Sequence, residues 1–123
     1  MAEPIEIQTE DLQDTIIIHV HGEVDMGTTP TLQRALLSAI QSQRHVIVDL
    51  AHVTYIDMSG FRVLEDGKEA VGERQGLAMT ASSPLVHKVI EIIQFGKVLP
   101  LFPSTQDALN FVRSHHSNDR LQQ

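Results

Sequence analysis

Val46-Ile47-Val48-Asp49-Leu50-Ala51-His52-Val53-Thr54-Tyr55-Ile56-Asp57-Met58-Ser59-Gly60-Phe61 is the stretch on which the reading of this chain turns. Val46 to Leu50 is apolar, β-branched at three positions, and reads as a buried strand. From Phe61 to Glu73 the apolar residues recur at helical spacing. The junction therefore sets an acid, a hydroxyl and a glycine at the mouth of a helix. Unpaired backbone N–H groups and the helix dipole favour negative charge there. Two uses are open for Ser59 in such a place. It can cap the helix, or it can carry a phosphate, which adds about two negative charges where the dipole tolerates them.

Working toward the N-terminus, Ile5-Glu6-Ile7 alternates as a short strand should, and Asp11 to Asp14 reads as a turn. Thr15 to Val20 is a β-branched run, so a hairpin is expected. Gly22 to Gly27 reads as a loop. Thr28 or Thr29 then caps a helix with Pro30 in its first turn, and Leu32, Ala35, Leu36, Ala39 and Ile40 supply its apolar face. Arg44-His45 ends that helix and Val46 starts the next strand. Strand, helix and strand in this order predict a parallel pair joined by a right-handed crossover.

Toward the C-terminus the alternation repeats. A helix is expected from about Ser59 to Gln75, with Gly76 as its stop, then a short strand from Leu77 to Thr80. Ser82-Ser83-Pro84 caps a further helix, whose apolar face carries Leu85, Val86, Val89, Ile90 and Ile93 and which Phe95-Gly96 ends. Val98 to Phe102 reads as a last strand, placed at a sheet edge by Pro100. Ser104 to Asp107 opens the final helix, with Ala108, Leu109 and Val112 facing inward. Residues 1–113 are expected to be one domain and 114–123 a flexible polar tail. The fold class is α/β: a mixed, mostly parallel sheet of four to five strands with about four helices.

Bulk composition narrows the function. With 123 residues the chain can bury a self-sufficient core. It has no cysteine, which removes disulfides and thiol chemistry and fits a cytoplasmic setting. No apolar run is long enough for a membrane span, so no membrane insertion is expected. Sixteen acidic residues against nine basic leave a net charge of −7, which argues against direct nucleic-acid binding. One tyrosine and no tryptophan leave little for a base-stacking platform.

The parts of an enzyme are missing from the pattern. There is no phosphate-binding glycine loop, no dinucleotide fingerprint and no Gly-x-Ser-x-Gly elbow. None of the seven histidines falls in a metal-ligand spacing, and all seven read as solvated or hydrogen-bonded surface groups. Asp49 and Asp57 could pair at the strand ends, but Asp49 inside an apolar strand reads as structural. No catalytic residue, cofactor or metal is expected.

The ordered set Gly22-Glu23-Val24-Asp25, Val46 to Leu50 with Val53 to Asp57, Asp57-Met58-Ser59-Gly60, Ser83-Pro84 and Leu101-Phe102-Pro103-Ser104 resembles the STAS domain. That module is shared by anti-sigma factor antagonists and the cytoplasmic tails of sulfate transporters, and the likeness covers roughly residues 5 to 112. A stand-alone member of this kind implies a non-catalytic regulator. It binds an anti-sigma factor that is also a serine kinase, is inactivated when that kinase phosphorylates the serine before the signature glycine, and is restored by a phosphatase. That serine is Ser59 here. The resemblance implies a switch surface built from Asp25, Asp57, Met58, Gly60, Phe61 and Arg62 around it. The alternative it admits is a subunit of a lipid-transporting membrane ABC complex. Within the set, Asp25 is otherwise a solvated loop acid, and Asp57 either caps the helix or orients Ser59. Met58 stands where the commoner signature has a serine, and Phe61-Arg62 where it has Leu-Gly. Phe61 is either buried or part of the partner surface. Arg62 is either solvated or paired with a phosphate on Ser59 one turn away.

Overall fold

The computed structural model describes residues 5–80 and 83–121, with side chains to position 114. In chain order the elements are β1 (Glu6–Asp11), β2 (Thr15–Val24), α1 (Thr29–Gln41), β3 (His45–Ile56), α2 (Met58–Ala70), β4 (Leu77–Thr80), α3 (Pro84–Ile92), β5 (Leu101–Phe102) and α4 (Thr105–Leu121). A single 3-10 turn, Phe95–Lys97, follows α3. The five strands lie in the order β1-β2-β3-β4-β5. Only β1 runs antiparallel, through a hairpin whose turn residue Gln13 takes a left-handed φ of 68°. The other pairs are parallel, as their helical crossovers require.

The first halves of β2 and β3 are apolar on both faces because both faces are covered there. Ile18, Val20, Val46, Val48 and Leu50 point into a large core with Leu32 and Leu36 of α1, Phe61 and Leu64 of α2, and Val86 and Ile90 of α3. Ile17, Ile47 and Ala78 point the other way, onto Ala108, Leu109 and Val112 of α4. Three helices therefore cover one face, and α4 covers part of the other. Gly67 lets α1 and α2 meet: a Cβ there would lie 2.6 Å from Leu36 Cδ2.

Several element limits differ from expectation. β2 continues through Gly22-Glu23-Val24, because β3 pairs with it to Val24↔Ile56 past two register shifts. The expected loop shrinks to Asp25–Thr28. β3 likewise runs on through Val53 to Ile56. α1 stops at Gln41, with Gln43 left-handed at φ 64° before the next strand. α2 stops at Ala70 rather than near Gln75. The reason is Gln75, whose buried amide donates to Ile40 O at 2.8 Å and Arg44 O at 2.7 Å and accepts from Gly72 N at 3.1 Å. A helix continued to residue 75 would forfeit those three bonds. Leu85 lies outside the core, 57% exposed. The last strand shortens to Leu101–Phe102, at the sheet edge as Pro100 suggested. α4 is helical to Leu121, across the segment expected as a tail. His45 is buried, not a surface group, and its Nδ1 accepts from Gly76 N at 3.0 Å. The side chains of His115 and His116 lie outside the described residues.

Candidate functional site

The junction of β3 and α2 lies where the strand-end loops of the parallel sheet gather, the usual place for function in such a fold. Asp57 is extended, at φ −105° and ψ −176°, and is the N-cap of α2. Its Oδ1 accepts the backbone N–H of Ser59 at 2.9 Å and of Gly60 at 3.4 Å. The same oxygen accepts the Ser59 hydroxyl in a short hydrogen bond. Ser59 is therefore not the cap: it sits inside the first turn, half-buried, with its hydroxyl held by the capping acid. Any group added to Oγ removes the proton donated to Asp57.

Gly60 is required by packing. A Cβ there would stand 2.7 Å from Val24 Cγ1 and 2.8 Å from Ile56 Cγ1. The first turn of α2 thus rests directly on the ends of β2 and β3. The Asp57 N–H extends this contact by donating to Val24 O at 3.1 Å.

That bond brings the Asp25 loop beside the α2 N-terminus. Asp25 Oδ1 accepts from Gly27 N at 2.9 Å and Thr28 N at 3.1 Å, folding the loop on itself. Thr28 Oγ1 accepts from Asp25 N at 2.9 Å and donates to Glu23 O at 2.8 Å, so its hydroxyl locks the loop rather than capping α1. Asp57, Ser59 and Gly60 thus share one hydrogen-bonded cap, and Asp25, bonded within its own loop, follows the Val24 carbonyl to which that cap is tied, at the ends of two neighbouring strands.

Of the remaining candidates, Met58 is 64% exposed and Arg62 is exposed one turn along α2. Phe61 is a correction to its placing on the partner surface: it is 1% exposed, with its ring 4.9 Å from that of Phe95. It supports the site from beneath. Met26 beside Asp25 and Tyr55 before Asp57 are exposed apolar residues that the sequence reading did not include. Their signal was large apolar residues flanking a polar loop, which is visible only once both loops share one end of the sheet. A groove of 240 Å³ runs from Met58 and Arg62 to Ile93 and Val98, over Phe61 and Phe95. A larger hollow of 710 Å³ lies between the C-terminal ends of α1 and α2, away from Ser59. Among the described residues no group of three or more His, Asp or Glu could hold a metal ion. Nor, among them, is any helix long and apolar enough to cross a membrane.

Comparison with known proteins gives the family. The profile of the STAS domain family matches residues 6–108. A Paenibacillus polymyxa protein named anti-sigma F factor antagonist is 23% identical over 108 residues, covering 85% of this chain and 92% of its own. The crystal structure of an anti-sigma factor antagonist from Mycobacterium paratuberculosis superposes with a TM-score of 0.85 at 28% identity, covering 93% of this chain and all of that one. The Bacillus cell fate determinant SpoIIAA in its phosphorylated form shares the fold, with a TM-score of 0.63 at 18% identity over 87% of this chain and 99% of that one.

Proposed function

The chain belongs to the STAS domain family, and from that premise we propose that it is an anti-sigma factor antagonist switched by phosphorylation of Ser59. The observation that carries this reading is the hydrogen bond from the Ser59 hydroxyl to the capping carboxylate of Asp57. In the unmodified state the hydroxyl donates to the carboxylate, and the helix end presents a single hydrogen-bonded acid. Phosphorylation replaces a donated proton with about two negative charges facing an acid that has lost the hydroxyl's hydrogen bond and keeps those of two backbone N–H groups. The α2 dipole tolerates charge at this end, so the fold persists while the surface becomes much more negative. A protein that docks on Met26, Tyr55 and Met58 then meets an uncompensated charge at the centre of its contact.

The partner in this reading is an anti-sigma factor that is also a serine kinase, and a phosphatase restores the free hydroxyl. The chain performs no catalysis and acts in the cytoplasm. Two relatives named as anti-sigma factor antagonists support the first part, and a phosphorylated SpoIIAA supports the second. Incubating the protein with ATP and a cognate kinase, then mapping the product by mass spectrometry, tests the switch. One phosphate is expected, on Ser59, and none on Ser59→Ala. Incorporation that Ser59→Ala leaves unchanged overturns the assignment. In a transport-complex subunit Ser59→Asp would leave partner capture intact, whereas here it abolishes it.

A further inference from the structure

His19 lies in mid-β2 on the face that α4 only partly covers, two residues beyond the buried Ile17. Its Nδ1 is 2.7 Å from Asp49 Oδ2 on β3, and its Nε2 is 3.0 Å from Glu10 Oε1 on β1. Asp49 in turn accepts from Ala51 N at 3.0 Å and from Thr80 Oγ1 of β4 at 2.9 Å. One row of polar side chains thus crosses four strands. Ionised carboxylates only accept hydrogen bonds, so both ring nitrogens of His19 must donate. Only the imidazolium does that; a neutral ring would turn a lone pair toward one of the two acids.

We propose that His19 is a proton-dependent brace, tying the edge strand β1 to the sheet interior so that β1 loosens when the ring loses its proton. β1 has few other side-chain ties. Five of its six residues are exposed, and only Ile7 along its length is half-buried against the core. Beyond the backbone ladder to β2, its side-chain links inward are Glu10 to His19 in mid-sheet and Asp11 to Arg44 at the strand's end.

The charged surroundings are consistent. From β1 the ring faces Glu10, and from β3 Asp49; β4 contributes the neutral Thr80, and α4 packs Ala108 and Val112 on the adjoining strip. Along the same face His21 stacks on His52 with centroids 4.6 Å apart, and Glu6 is the cross-strand neighbour of His21. Partial burial would push the His19 proton affinity down, but the bonds to Glu10 and Asp49 outweigh it and hold the ring's pKa above its ordinary value. Burial likewise opposes ionisation of Asp49, and the Ala51 N–H, His19 and Thr80 reverse that, keeping its pKa low. The brace is therefore complete below the pKa of an unfolded histidine and is lost as pH rises through the raised folded value.

Hydrogen exchange of β1 amides at about pH 6 and about pH 8.5, either side of the ordinary histidine range, tests this when corrected for intrinsic rates. Protection of β1 should fall about two- to fivefold between the two, the size that a partly exposed ion pair supports. His19→Gln and Glu10→Gln should each abolish the pH dependence, and His21→Gln should retain it. In parallel, ¹⁵N NMR should find both His19 nitrogens protonated at about pH 6.5, where an unstructured ring is half neutral. A His19 midpoint at or below that of an unstructured ring, or an unchanged pH dependence in His19→Gln, would overturn the brace.

Discussion

At the scale of single residues the site rests on Asp57. Its carboxylate takes two backbone N–H groups of α2 and the Ser59 hydroxyl together. Asp57→Ala should cost about 1 kcal/mol of folding stability, the usual worth of an N-cap, read from urea denaturation. Ser59→Ala should cost less, because the backbone bonds to Asp57 survive it. Gly60→Ala is expected to destabilise by about 1–3 kcal/mol. A better helix former is no help where the new methyl would overlap Val24 and Ile56, neither of which has room to move. If Gly60→Ala were neutral by the same titration, the close packing of α2 on the strand ends would be refuted. The acid, the hydroxyl and the glycine were legible as a group from their order at a helix mouth. Which of Asp57 and Ser59 caps was not legible, since both are good N-caps and the choice depends on where β3 ends. Phe61 was undecidable for a similar reason: its burial depends on Phe95, a residue from beyond the next strand and helix.

At the scale of elements the alternation of strand and helix was readable throughout, because apolar periods of two and 3.6 seldom mimic each other over whole segments. What failed were limits set by distant partners. Gly22-Glu23 reads as a loop by composition but is held in β2 by Val53 and Tyr55 across the sheet. Periodicity carries α2 toward Gln75, whereas the Gln75 amide is claimed by the end of α1 and by Arg44. Gln75→Leu should take this partner from the Arg44 carbonyl and the Gly72 N–H, while Ile40 O keeps the Gln43 N–H, a loss of about 1–3 kcal/mol. The check is a chemical denaturation midpoint together with faster exchange at the α1 C-terminus. No change in either would show that water replaces the amide freely.

At the scale of the whole molecule, acid response and partner response separate. Arg44 and the Gln13 N–H hold the Asp11 carboxyl below its ordinary pKa. Burial opposes the ionisation of Asp14, but Arg113, at 2.9 and 3.0 Å, and Thr15 outweigh it and lower that pKa too. Groups shifted in this direction stabilise the fold above the unfolded value of 3.8 and lose that contribution as pH falls through their lower folded values. Urea midpoints should therefore decline through that range, and Arg113→Ala should flatten part of the decline, since α4 then lacks its link to the hairpin. The charge of −7 disfavours contact with nucleic acid. On the proposed switch, one hydroxyl, that of Ser59, decides between bound and free. Its most direct test is the affinity of the captured anti-sigma partner for this protein carrying stoichiometric phosphoserine at position 59, against the unmodified chain. Binding should weaken by about a hundredfold or more, the ~3 kcal/mol cost of leaving a charge uncompensated in an interface. Equal affinity for the two forms would contradict it.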